Sequence, residues 1–132
     1  MAPAIPAEAR AWFERPEHAV LATTMPDGRP QISVVWAGLD GDDVLVSTVK
    51  GRRKYLNIQR DPRVGILVYP TDDPDRYVEI RGTATLTEDG GIALADRLAR
   101  TYLGAERHSA DDGTDNVRIV IRITPDRIVL RG

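Results

Sequence analysis

The sequence predicts a mainly β protein, an antiparallel barrel of six to seven short strands with two to three accessory helices. Apolar segments rich in Val, Ile and Thr are separated by turn signals, such as those at residues 26–28 and 40–42. Few of the connections suit a parallel crossover, so neighbouring strands are expected to pair as hairpins. Closing many short strands into a barrel also removes exposed strand edges.

Length and composition indicate one globular domain. The chain has 132 residues, of which 42% are hydrophobic and 29% charged, an ordinary balance for a packed domain. We therefore expect a single domain over residues 1–132. No stretch has the length and apolarity of a membrane span or a signal peptide, which favours a soluble, cytoplasmic protein.

Charge and residue counts exclude several classes of function. The formal net charge is −2, so no overall attraction to nucleic acid or to an anionic membrane is expected. The absence of cysteine excludes disulfides, thiolate metal sites and a Cys nucleophile. The two histidines, His18 and His108, are far apart in the sequence, so we expect no metal site.

The first half of the chain is predicted to form one helix and a meander of strands. Residues 6–14 place apolar side chains on one helical face, and Pro6 suits the start of a helix. Strands are predicted over residues 19–25, 30–39 and 44–48. A second helix is predicted over residues 52–60, and its core side is expected to comprise Tyr55, Leu56 and Gln59.

The second half is predicted to complete the barrel. Strands are expected over residues 64–69 and 77–87, with a bulge or barrel corner at Gly82. Asp89 is expected to cap a third helix. The apolar and aromatic side of that helix comprises Ile92, Leu94, Ala95, Leu98, Ala99 and Tyr102. A polar, mobile loop over 104–116 is expected to precede strands over 117–124 and 127–130, which a turn at 125–126 would separate.

The segment 47–54 is the best candidate for a binding site. Two hydroxyls, Ser47 and Thr48, end a strand, Gly51 permits a sharp turn, and a helix opens with three cations over residues 52–54. Free N–H groups at a helix start favour an anion, and Arg and Lys both suit phosphate. Cations in a first turn oppose the helix dipole and call for a compensating anion. A solvated basic turn paired with Asp42, Asp43 or Asp61 is the alternative.

Other polar and aromatic residues give weaker signals. The acidic loop with Asp72, Asp73 and Asp75 is expected to be solvated, and His108 to be exposed. Ser33 has no histidine partner that would suggest a hydrolase. Asp111 and Asp112 are expected to be a loop charge pair without a role. Trp36 and Tyr77 are core or interface aromatics, or else stack on a planar ligand.

Three segments in register resemble a known family. Residues 21–33, 52–64 and 79–87 resemble the pyridoxamine-phosphate-oxidase-like split β-barrel superfamily, and most closely its F420-dependent flavin/deazaflavin oxidoreductases. The resemblance runs from about residue 5 to residue 130. It implies a split barrel of the FMN-binding type and a homodimer in which both chains contact each cofactor.

The resemblance also implies which residues bind the cofactor. The phosphate would lie where the strand end meets the following helix, held by Ser47, Thr48, Arg52 and Lys54 with help from Arg53. The strand 29–36 would line the ring system through Gln31, Ser33 and Trp36. Tyr77 and Val78 of the partner chain would complete the pocket. The only candidate for a catalytic residue is the Tyr77 hydroxyl, as a proton donor.

The phosphate site alone does not distinguish F420 from FMN. The overall pattern resembles the deazaflavin branch, and the longer C-terminal segment of pyridoxamine-phosphate oxidases is missing. Arg29, Arg53 and Arg60 could serve the oligoglutamate tail of F420. The resemblance therefore implies an F420H2-dependent reductase that transfers hydride to an electron-poor double bond. An FMN-binding oxidoreductase and a non-catalytic cofactor carrier are the alternatives, and a haem protein is disfavoured by the lack of a well-placed histidine.

Overall fold

Seven antiparallel strands form a half-barrel accompanied by three helices. The computed structural model describes residues 3–132. Its elements in chain order are α1 (Ala7–Glu14), β1 (Ala19–Thr24), β2 (Pro30–Val35), β3 (Ala37–Asp40), β4 (Asp43–Val49), α2 (Arg53–Arg60), β5 (Arg63–Val68), β6 (Tyr77–Thr87), α3 (Gly91–Leu103) and β7 (Arg118–Arg131). The strand order is β2-β1-β5-β6-β7-β4-β3. The prediction of a mainly β split barrel is confirmed.

The main core fills the inside of the barrel, and a smaller cluster lies between the outside of the sheet and α3. Strand residues alternate between the two sides. In β4, Val44 and Val46 belong to the main core, whereas Leu45 packs with Leu94 and Leu98 of α3. Side chains of β4 therefore alternate between the barrel interior and the α3 side. This alternation determines on which side of the sheet the hydroxyls of Ser47 and Thr48 lie.

The predicted strand over residues 30–39 is two strands, and that prediction was wrong. β2 ends at Val35 and β3 begins at Ala37, so only Trp36 separates them. β2 pairs with β1 at one edge of the sheet, and β3 pairs with β4 at the other edge. The chain thus crosses from one sheet edge to the other at a single residue. Because this crossing follows from barrel closure and not from a local turn, the sequence around Trp36 contains no turn signal.

The predicted irregularity at Gly82 is confirmed, but the predicted turn at residues 125–126 is wrong. β7 runs without interruption, and the β6–β7 register shifts so that Arg81 faces Arg127 while Gly82 faces Pro125. Asp126 is therefore the extra residue of a bulge. A Cβ on Gly82 would lie 2.6 Å from the Thr124 carbonyl oxygen. Proline is tolerated in a strand at such a bulge.

The predicted core faces of α2 and α3 need correction. In α2, Tyr55 is only half-buried and Leu56 and Gln59 are exposed, because the short helix covers the end of the barrel with Asn57 and Ile58. The other predicted apolar side chains of α3 pack inward, but Ile92 is 74% exposed. α3 starts from Gly90 rather than Asp89, with a left-handed φ of 79° and no side-chain cap.

The loop over 104–116 also differs from the prediction. The His108 side chain is only 13% exposed, and Asp111 forms an ion pair with Arg118. The expectation that His108 is exposed and that Asp111 has no role was therefore wrong. Both errors arise because the partner, Arg118, lies beyond the loop in β7.

Candidate functional site: the start of helix α2

A tight turn carries the chain from β4 into α2. Gly51 has a φ of 91°, which glycine adopts without strain. The Arg52 N–H donates to the Val49 carbonyl at 3.1 Å, and the Lys50 N–H donates at 2.9 Å to the carbonyl of Val117, the residue before β7. Arg52 is the N-cap residue, and no side chain caps the helix. The N–H groups of the first turn are therefore not satisfied by a cap.

The three cations at this helix start lack carboxylate partners. Arg52 and Arg53 are exposed and Lys54 is half-buried, and none of them forms an ion pair within residues 3–132. The carboxylates named in the alternative interpretation are engaged elsewhere. They pair as Asp42 with Arg10, Asp43 with Arg122, and Asp61 with Arg63. The described residues therefore contain none of the ion pairs that the alternative interpretation names, although Arg52 and Arg53 are exposed to solvent as it expects.

Burial and a neighbouring charge act on Lys54. Burial lowers the pKa of the Lys54 ammonium below its ordinary value of 10.5, and the positive charge of Arg52 lowers it further. Both effects disfavour the charged form. An anion placed between these side chains would offset both, and so this position is electrostatically suited to a phosphate.

The two hydroxyls at the end of β4 lie on opposite faces of the strand. Thr48 is 2% exposed on the barrel side, and its Oγ1 has no hydrogen-bond partner in residues 3–132. Ser47 lies on the α3 side, where its Oγ accepts a hydrogen bond from Arg118 Nη1 at 3.3 Å. A buried hydroxyl without a partner is costly unless a ligand or water satisfies it. Thr48 is thus the hydroxyl available to an anion.

A chain of buried hydrogen bonds joins α2 to β1 and β2. Asn57 Nδ2 donates to Thr23 Oγ1 at 3.0 Å, and Thr23 Oγ1 donates to Gln31 Oε1 at 2.9 Å. Thr23 and Asn57 are almost completely buried. Farther along β2, Ser33 Oγ is buried and lacks a partner within residues 3–132. Gln31 and Ser33 therefore share the barrel-facing side of β2 with this network.

The remaining predicted ring and tail residues are more widely distributed. Trp36 stacks on Tyr102 of α3, with ring centroids 5.2 Å apart and planes inclined by 10°, so one face of the indole is covered. Arg29 is highly exposed and pairs with Asp27 at 2.7 Å. Arg60 donates to the Thr24 carbonyl and, at 3.5 Å, to Asn57 Oδ1. Each of these three side chains is thus engaged by another group of the same chain.

Tyr77 lies on the outside of the sheet rather than beside α2 of its own chain. It lines a cavity of about 280 Å³ with Val20, Ile32 and Leu67. The neighbouring cavity, of about 390 Å³, shares Ala22 and Gly65 with it. The Val78 side chain is completely buried in the main core, so only its backbone could contact a ligand.

The outer apolar face of the sheet surrounds this cavity. We define it by Val20, Ala22, Ile32, Val34 and Leu67. Ile32 is 64% and Val34 66% exposed. Large apolar side chains exposed side by side on a sheet are typical of an interaction surface.

Two further observations concern the described part of the chain. Among residues 3–132, no three His, Asp or Glu side chains come close enough together to bind a metal ion. In the same residues no helix combines the length and the hydropathy that crossing a bilayer requires.

Comparison with known proteins identifies the family. Residues 5–131 match the family described as pyridoxamine 5'-phosphate oxidase. The chain belongs to this family. The family assignment made from the three sequence segments is therefore confirmed. The match includes the whole of the β4–α2 site and the outer apolar face.

One curated relative and one solved structure resemble this chain at more than 30% identity. A pyridoxine/pyridoxamine 5'-phosphate oxidase of Rubrobacter xylanophilus is 37% identical over 99 residues, covering 73% of this chain and 45% of that protein. The chain thus spans less than half the length of this relative. The solved structure of an F420 reductase is 31% identical with a TM-score of 0.81, covering 95% of this chain and 98% of that one.

A second solved structure supports the fold alone. A conserved hypothetical protein from Mycobacterium tuberculosis has a TM-score of 0.80 at 24% identity, covering 98% of this chain and 86% of that one. By their names, the pyridoxine/pyridoxamine 5'-phosphate oxidase and the F420 reductase are both oxidoreductases.

Sequence reasoning missed Thr23, Asn57 and Arg118. Asn57 carries a local signal, because it lies in the middle of a short helix next to the apolar Ile58. A polar side chain buried at such a position is expected to be hydrogen-bonded. Thr23 carries none, because its partner Asn57 is 34 residues away, and the contact of Arg118 with Ser47 likewise spans 71 residues.

Proposed function

We propose that this chain is an F420H2-dependent reductase that binds the cofactor phosphate at the start of α2. The observation that carries the proposal is that, within residues 3–132, three cations without carboxylate partners follow a strand end that carries a buried hydroxyl without a hydrogen-bond partner. Arg52, Arg53, Lys54 and Thr48 would hold the phosphate. Ser47 would support the strand end from the opposite face.

The residues present fit a phosphorylated cofactor. A helix start without a side-chain cap offers backbone N–H donors, and forked guanidinium groups match phosphate oxygens. Gln31 and Ser33, on the barrel side of β2, would contact the ring system, and Trp36 would flank it with its uncovered face. These roles follow the family resemblance.

The preference for F420 over FMN has one specific support. The solved structure of an F420 reductase is 31% identical to this chain and superposes on it with a TM-score of 0.81. Arg29, Arg53 and Arg60 would contact the oligoglutamate tail. FMN is the second candidate cofactor, since the same phosphate site serves both.

A second copy of the chain would complete the pocket. The outer apolar face is the surface through which we expect two chains to associate. Tyr77, which lines the cavity beside this face, would then reach the cofactor bound to the partner. Its hydroxyl would be the candidate proton donor. The Val78 backbone would lie beside it.

The bound cofactor supplies the hydride. The chain contributes binding and orientation: the α2 cations fix the phosphate, and the Asn57 network holds α2 against the strands that face the ring. Association of two chains would exclude water from the pocket, which favours hydride transfer to an electron-poor double bond over side reactions. A non-catalytic cofactor carrier would use the same residues for binding alone.

Titration of the purified protein with F420 and FMN, followed by cofactor fluorescence, tests the proposal. Lys54→Ala should weaken binding by about 1.5–3 kcal/mol, the contribution of a charge-assisted hydrogen bond. Lys50→Ala is the matched control, because Lys50 pairs with Glu88 on the surface. Equal affinity of Lys54→Ala and wild type would exclude this site. Tight FMN binding without F420 binding would favour the second candidate.

Turnover separates an enzyme from a carrier. F420H2 oxidation would be followed with a panel of enones, quinones and tetrapyrroles. Oxidation that depends on the acceptor supports the reductase. A protein that binds F420H2 tightly but oxidises it with no member of the panel is a carrier.

A further inference from the structure

One ion pair fastens the loop over 104–116 to the barrel. Arg118, the first residue of β7, donates from Nε to Asp111 Oδ2 at 2.6 Å and from Nη2 to Asp111 Oδ1 at 3.1 Å. The two side chains are 13% and 20% exposed. The Arg118 hydrogen bonds hold the pKa of the Asp111 carboxyl well below its usual range, so the pair is charged at neutral pH.

Neighbouring groups add to this contact. Asn116 Nδ2 donates to Asp111 Oδ1 at 2.9 Å. The His108 ring lies 3.5 Å from both Asp111 Oδ2 and Arg118 Nη2, and its backbone N–H donates to Asp96 of α3 at 2.7 Å. The loop is thereby attached to both α3 and β7.

The same guanidinium reaches the strand that ends at the anion site. Arg118 Nη1 donates to Ser47 Oγ at 3.3 Å. The residue before it, Val117, accepts the Lys50 N–H at 2.9 Å. Residues 117 and 118 therefore contact the β4–α2 segment on both sides of Thr48, the hydroxyl assigned to the phosphate.

We propose that Arg118 is a positioning residue of the anion site. Held by Asp111, it fixes the end of β4 and the turn that leads to the α2 cations, without contacting the cofactor itself. The effect of Arg118 on cofactor affinity rests on the proposed function, whereas its ordering of the turn between β4 and α2 does not. Because coupling between sites is reciprocal, cofactor binding would also order the loop.

Hydrogen exchange of the full chain without cofactor tests the ordering of the turn. Asp111→Asn should accelerate exchange of the Lys50 amide by about tenfold or more, since local opening no longer requires breaking the ion pair. Asp112→Asn is the matched control: Asp112 pairs with Arg107 in the same loop, but both are exposed. Acceleration confined to residues 104–116 would overturn the proposal. Arg118→Lys, which cannot bridge both partners, replaces Asp111→Asn should that variant not fold.

Cofactor titrations then distinguish a positioning role of Arg118 from a general loss of stability of the protein. Asp111→Asn should weaken F420 or FMN binding by about three- to tenfold, and by less than about twofold when Ser47 is already alanine, because coupled residues are not additive. The same loss in both backgrounds would contradict a relay through Ser47. If the wild type binds neither cofactor, the proposed function fails, and the exchange measurement alone decides the positioning role.

Discussion

Asn57 of α2 donates a hydrogen bond to Thr23 Oγ1 of β1 at 3.0 Å, and both side chains are almost completely removed from solvent. α2 has only eight residues, and basic side chains in its first turn oppose the helix dipole. Such a short helix depends on tertiary contacts for its stability. The Asn57–Thr23 contact therefore determines where the cationic helix start lies relative to β2.

Replacing Asn57 with alanine should destabilise the protein by about 1–3 kcal/mol, because the buried Thr23 Oγ1 would lose the hydrogen bond that Asn57 donates. The hydrogen bond from Thr23 to Gln31 would then no longer be fixed by α2. Chemical denaturation measures this change. Gln59→Ala is the control, since the Gln59 side chain is exposed on the same helix. If the Asn57 network positions α2, the variant also binds cofactor more weakly at temperatures where it remains folded. A stability equal to that of Gln59→Ala would contradict the role of the network.

The lowered pKa of Lys54 predicts an alkaline dependence of binding. A phosphate favours the charged ammonium, so above the Lys54 pKa of the free protein, binding requires uptake of a proton. Affinity should therefore fall as the pH rises, starting below the ordinary lysine value of 10.5. Titrations between pH 7 and pH 10 would measure it, and Lys54→Ala should lack this part of the decline. An identical decline in that variant would assign the effect to another group.

Local patterns predicted most of the strands and one side of the site. The alternation over residues 77–87 matches β6 at both ends, and Gly82 lies at the expected irregularity. The cations over 52–54 were recognisable because a helix start rarely carries them without an anion. These features depend on neighbours in sequence, which is why sequence reasoning reaches them.

The features that sequence missed depend on contacts across the barrel. The break at Trp36 follows from the chain crossing between opposite sheet edges. Strand alternation places the Ser47 and Thr48 side chains on opposite faces of β4, but which of these faces holds the proposed anion site depends on where α2 packs. From the sequence, Asp111 is predicted to be an ordinary loop carboxylate, because Arg118 is placed beside β4 only when β7 pairs with β4.

The close approach at Gly82 predicts a sensitive position. An alanine Cβ there would lie 2.6 Å from the Thr124 carbonyl oxygen and 2.7 Å from Ile123 Cγ2, so β6 and β7 would have to separate. Gly82→Ala should destabilise the protein by about 1–3 kcal/mol through overpacking. Gly65→Ala is the control, because a Cβ there has no neighbour within 4 Å. Thermal unfolding of the two variants would compare them, and equal melting temperatures would contradict the assigned role of the bulge.

The outer apolar face predicts that association of two chains depends on Ile32. Ile32→Glu would place a charge in the centre of the expected interface, where an unpaired buried carboxylate is strongly unfavourable, and should produce monomers in sedimentation or light-scattering measurements. Ile92→Glu is the matched control, since Ile92 is even more exposed but lies on α3. Because Tyr77 of the partner would complete each pocket, the Ile32→Glu monomer should also lose cofactor affinity. A variant that stays dimeric, or a wild type that is monomeric, would show that this face does not join the chains.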